Sequence, residues 1–104
     1  MSRYELYLPL KSNDGTDIEP EKIKAIREEL LGVFGGITAS SLTAPFQGSW
    51  KYGGVEYVDD IIKLEILAFN DETAEEFFRK FKERLKISLN QLDILIVVLP
   101  AKTI

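Results

Sequence analysis

The sequence predicts one α+β domain, a two-layer sandwich of an antiparallel sheet and two helices with elements in the order βαββαβ. Three observations carry this. Two stretches repeat apolar residues at three- and four-residue spacing, the period of an amphipathic helix. Four others alternate or run apolar as strands do. A Gly-Gly pair between two of those strands marks a hairpin set between the helices. The chain of 104 residues suffices for one core and leaves no room for a second.

Tyr4 to Leu10 sets Tyr4, Leu6, Leu8 and Leu10 against Arg3, Glu5, Tyr7 and Pro9, so the first strand is half-buried. Ser12-Asn13-Asp14-Gly15-Thr16 is a turn, because Asn and Asp bond their own backbone and Gly takes positive φ. Pro20 fits the first helical position with Glu19 as cap and Ile18 stapling onto Ile23. The helix buries Ile23, Ile26, Leu30, Val33 and Phe34 and ends at Gly35-Gly36, with Gly35 in the left-handed position past the cap.

Ile37 to Phe46 is poorly patterned and carries Pro45, which predicts a loop or irregular edge strand that becomes regular from Gly48 to Tyr52. Tyr52-Gly53-Gly54-Val55 is a two-residue hairpin that puts Lys51 opposite Glu56 and Trp50 opposite Tyr57. The returning strand continues through Ile61 to Phe69, with Ile62, Leu64, Ile66 and Ala68 facing the helices. Asn70 or Asp71 caps a second helix whose stripe is Ala74, Phe77, Phe78, Phe81 and Leu85. Leu92 to Leu99 is the last strand, stopped by Pro100.

Two crossovers separated by a hairpin form the split βαβ pattern of a ferredoxin-like sandwich, with both helices on one sheet face. The other face is then uncovered. It is expected to carry Trp50, Tyr52, Tyr57, Ile61, Leu67 and Phe69 around Lys63 and Glu65, with Tyr7 and Leu95 or Val97 alongside. A bulge at Asp59-Asp60 would swap the faces beyond it. An apolar patch of that extent marks an interaction surface, and the expected partner is a second copy, isologous about a two-fold.

Composition narrows the chemistry. The chain has no Cys and no His, so it carries no disulfide, no Ser-His triad, no imidazole base and no zinc site of ordinary ligands. The formal charge of −4 repels phosphate backbones and anionic membranes, so neither nucleic acid nor membrane is an expected partner. Aromatics on such a sheet also suit RNA-binding modules, but their basic, Gly and aromatic motif is missing. The start Met1-Ser2-Arg3-Tyr4-Glu5-Leu6 has no charged segment followed by an apolar run, and the longest apolar run, Ile94 to Leu99, is too short to span a bilayer. The expected compartment is the cytoplasm.

The densest acidic group is Asp59-Asp60 with Glu56 and Glu65, a set able in principle to hold Mg2+ or to act as acid and base. Adjacent strand residues point oppositely, so Asp59 and Asp60 share a site only through a bulge. Asn13-Asp14-Gly15-Thr16-Asp17 lacks the ligand that a calcium loop needs at Leu10, and Gly35-Gly36-Ile37-Thr38 follows a helix where a phosphate cradle follows a strand. No metal, cofactor or catalytic residue is expected.

Taken together, the Leu-Tyr-Leu-Pro-Leu strand, the Asn-Asp-Gly turn, Phe34-Gly35-Gly36-Ile37-Thr38, Gly48-Ser49-Trp50 and Gln91 resemble a group of small uncharacterised prokaryotic ferredoxin-like α/β proteins. The resemblance implies that fold and no activity. Thr38, Trp50, Asp60 and Gln91 from those segments, with Tyr57 beside Trp50, are the candidate binding residues. The expected function is a non-enzymatic, homodimeric interaction or small-ligand binding module using the open sheet face. The alternative is a carboxylate enzyme, with or without Mg2+, centred on Glu56, Asp59, Asp60 and Glu65.

Overall fold

The computed structural model describes residues 1–104 and contains β1 (Ser2–Pro9), α1 (Pro20–Phe34), β2 (Thr38–Ala39), β3 (Phe46–Tyr52), β4 (Val55–Ala68), α2 (Asp71–Ser88) and β5 (Leu95–Pro100). The strands form one antiparallel sheet in the order β2-β4-β1-β5, with β3 also on β4. No helix is long and apolar enough to cross a membrane.

The long β4 organises the sheet. Residues Ile61 to Ala68 pair with β1 on one edge, while the other edge takes β2 at Leu64–Glu65 and β3 from Ile61 to Val55. The poorly patterned stretch thus divides one edge into two short strands. Between them, Ser41 bridges Ala44 across a tight turn. Ser40 keeps the ladder continuous, its N–H donating to Lys63 O and its Oγ accepting from Lys63 N–H at 2.9 Å. The hairpin follows the predicted register, Lys51 opposite Glu56 and Trp50 opposite Tyr57. Both turn glycines have positive φ, 59° at Gly53 and 80° at Gly54, which explains why a Gly-Gly pair stands there. Beyond Pro9 the hairpin has no β1 beside it and projects as an arm, so the molecule measures 41 × 30 × 26 Å.

Both helices cover one face of the sheet. Tyr4, Leu6 and Leu8 of β1 and Ile62, Leu64, Ile66 and Ala68 of β4 are buried against Ile23, Ile26 and Leu30 of α1 and Ala74, Phe78, Phe81 and Leu85 of α2. Each fully buried Leu, Ile or Phe contributes about 1.5–3 kcal/mol of transfer free energy. The rings pack with defined geometry: Tyr4 stacks on Phe78 at 4.2 Å, and Phe34 stacks on Phe78 at 5.3 Å.

Helix ends form where the sequence predicts them, and three details differ: the cap of α1, the width of its buried stripe and the start of the last strand. Asn70 caps α2 by accepting from Thr73 N–H at 3.1 Å, and Gly35 closes α1 at φ 81° with its N–H on Leu31 O. Glu19 occupies the cap position of α1 without a side-chain bond, so the start of α1 depends on Pro20. Val33 lies outside the buried stripe and is 52% exposed, since Leu30 and Phe34 complete the packing face. The last strand begins at Leu95 and leaves Leu92 in solvent, because Lys82 pairs with Asp93 and Ile94 reaches the core before the ladder starts.

Candidate functional site

Register decides which residues share the uncovered face. The pairing of β4 runs unbroken from Val55 to Ala68, with no bulge at Asp59-Asp60, so every odd-numbered residue of β4 points away from the helices. That face gathers Trp50, Tyr57, Ile61, Lys63, Glu65 and Leu67. Tyr7, Leu95 and Val97 join them, since Tyr7 stands opposite Lys63 and Leu95, and Val97 stands opposite Glu5.

Its centre is charged and its surroundings are apolar. Lys63 Nζ lies 3.0 Å from Glu5 Oε2 and 3.0 Å from Glu65 Oε1, while Arg3 Nε lies 3.6 Å from Glu5. Tyr7 Oη donates to Glu5 Oε1 at 3.4 Å, and the Lys63 ammonium sits 5.7 Å from the Tyr7 ring centroid. Neighbouring side chains leave the Glu5 side chain only 9% exposed although no layer covers the face. The bond from Lys63 holds the Glu5 carboxyl below the usual carboxylate range, with lesser help from Arg3 and Tyr7. Glu65 and then Glu5 raise Lys63 in turn. Two cations and two anions cancel, so the cluster is neutral.

The arm extends this face. Trp50 and Tyr57 stack across the hairpin at 6.0 Å and 17°, and remain 47% and 44% exposed. Phe46, Tyr52 and Val55 are exposed on the same side. The Ile61 side chain lies over Gly48, and a Cβ at Gly48 would require the Ile61 side chain to turn aside.

Of the five candidate binding residues, the structure brings Trp50 and Tyr57 together. Thr38 stands opposite Glu65 at the far edge of the same face. Asp60 stands opposite Gln47 on the other face, and its carbonyl accepts from Leu10 N–H. Gln91 follows α2, and its Nε2 donates to Lys11 O at 2.7 Å and Leu89 O at 3.1 Å, tying the end of the last crossover to the segment just after β1. The acidic set divides as well, with Glu56 and Asp60 on one face of β4 and Asp59 and Glu65 on the other. No group of three or more acidic side chains converges as metal ligands do.

Two surface clefts, of about 190 and 230 Å³, lie between α1 and α2 and beside the Ser12–Asp17 turn, and none of the five candidates lines either. Both are smaller than the roughly 300–1,000 Å³ typical of small-molecule sites. Periodicity missed the Arg3–Glu5–Lys63 arrangement, because alternation marks positions as outward-facing without saying which charges meet. The signal was present in Arg3 and Glu5 on one strand and Lys63 and Glu65 on another, all of one parity. No protein-family model and no curated protein matches the chain.

Proposed function

We propose that the chain is a non-catalytic interaction module of ferredoxin-like topology that works as a homodimer, its outer sheet face packed on that of a second copy. The observation that carries this reading is the exposed apolar surface that runs along the outer face from the neutral ion cluster onto the hairpin arm. Phe46, Trp50, Tyr52, Tyr57 and Leu95 are each between 44% and 77% exposed. At roughly 200 Å² per large side chain these present on the order of 550 Å², and Val55 and Leu67 on the same face add to it, towards the ~800 Å² per partner of a stable interface. A second copy fits this surface better than a charged ligand does, because the central ions already satisfy one another and leave no net charge to be neutralised. The strand order supports the topology, since each helical crossover skips one strand, β4 lying between β1 and β2 and β1 lying between β4 and β5.

Native mass spectrometry on gently purified protein tests the reading. A dimer mass that persists at micromolar concentration supports it; a monomer at every concentration overturns it.

A further inference from the structure

We propose that the dimer closes by exchange of arms: the apolar side of each hairpin arm lies across Tyr7, Leu95 and Val97 of the second copy. The inference rests on the dimer reading above and adds how the two faces are aligned.

The arm is two-sided. Trp50, Tyr52, Val55 and Tyr57 share its outer side, while Ser49, Lys51 and Glu56 surround Val58 on the other, and all of them are exposed. β1 leaves β4 at Pro9, so no third strand supports the arm. A two-stranded hairpin alone in water is marginally stable. A projecting hairpin with one apolar side is therefore completed by a surface on which that side can lie.

A matching surface is on the other half of the same sheet face. Tyr7 stands between Lys63 and Leu95, Val97 lies further along β5, and Leu95 is 58% exposed. With ~3.4 Å of rise per residue and ~4.8 Å between strands, the Trp50–Tyr57 pair lies about 20 Å from Tyr7 of its own chain. One chain cannot join the two patches, but a two-fold can. An axis in the plane of the interface, passing near Leu10 and Asp60 and at right angles to the line from Tyr7 to the Trp50–Tyr57 pair, exchanges them. It lays Trp50 and Tyr57 over Tyr7 and Leu95 of the second copy, and Tyr52 and Val55 over its Val97, in both directions at once. The two sets of strands then cross at about 40°, nearer the aligned than the orthogonal class of sheet packing. Phe46, 54% exposed, meets its own copy near the axis. Asp59, the one acidic residue on the apolar side of the arm, comes within reach of the Lys63 ammonium of the second copy. Arg3 and Glu65 fall at the edge, so the interface has an apolar centre and a polar rim.

The test uses Val55→Cys and Val97→Cys, near-isosteric changes in a chain that has no cysteine. The cross-linker is a bis-maleimide whose span matches the ~10 Å between packed sheets. Positions 55 and 97 of one chain, and like positions of the two copies, stand more than about 30 Å apart. Each variant alone therefore gives no cross-linked dimer, whereas the two mixed in equal amounts and left to exchange subunits give a covalent heterodimer. Trp50, the only tryptophan, reports the same contact in the wild type. Its emission moves to longer wavelength as the dimer is diluted into monomer. A wild-type dimer whose Trp50 emission is unchanged on dissociation, or a dimeric mixture that cross-links at like positions or not at all, overturns the exchange and leaves the dimer itself standing. A wild type that is monomeric at every concentration overturns both.

Discussion

Lys63 on β4 and Glu5 on β1 form an ion pair at 3.0 Å on the outer face of the two central strands, and the same ammonium reaches Glu65 at 3.0 Å. A carboxylate with little solvent access depends on such a partner, since a charge shielded from water is costly unless paired. Lys63→Met removes the cation and keeps most of the stem. It lowers the thermal midpoint and raises the Glu5 pKa towards its ordinary value, both readable by calorimetry and by side-chain carboxyl NMR. An unmoved Glu5 titration contradicts the assignment of Lys63 as its principal partner.

Asp14 gives the pH dependence a local marker. Its carboxylate accepts from the Ser12 hydroxyl, from Thr16 N–H at 3.0 Å and from Thr16 Oγ1 at 2.7 Å, and these bonds hold its pKa at about 2. The folded chain therefore binds this proton more weakly than the unfolded chain does. The resulting stability is fully present above the ordinary value of 3.8 and is lost as pH falls through about 2. Asp14→Asn is expected to flatten denaturation curves across that window, and an acid limb as steep as the wild type's contradicts it.

The helical layer is anchored by Phe81, 1% exposed and in the ring cluster with Phe77 and Phe78. Phe81→Ala is expected to cost about 3–5 kcal/mol, the transfer free energy of the ring and the cavity it leaves. Urea unfolding measures this directly. A loss below 1 kcal/mol means that the helices collapse into the space.

Asn70 stabilises the start of α2 through its bond to Thr73 N–H. Asn70→Ala is expected to lose about 1 kcal/mol while Asn70→Asp keeps nearly all of it, because both native and substituted side chains accept from that amide. Equal losses in the two variants contradict the capping role.

What the sequence revealed and what it hid follow from how local each determinant is. Gly53-Gly54 dictates its own turn through two positive φ angles, and the flanking pairs Trp50–Tyr57 and Lys51–Glu56 follow by counting. The stripes of α1 and α2 were legible for the same reason, apart from Val33. The division of the second strand was not, because Ser40 replaces a backbone partner with its hydroxyl and no periodicity records that. Among the candidate residues, Trp50 and Tyr57 meet because they are cross-strand neighbours. Thr38, Asp60 and Gln91 come from separate elements, and their positions depend on the crossovers.

An outer sheet face that joins two copies, as proposed above, has a direct test. Sedimentation velocity of the wild type and of Leu95→Lys, a position 58% exposed and outside the core, addresses it most directly. The expected result is a wild-type dimer that becomes a monomer in Leu95→Lys with an unchanged circular dichroism spectrum. A wild type that sediments as a monomer at the highest attainable concentration, or a Leu95→Lys variant that remains as dimeric as the wild type, contradicts it.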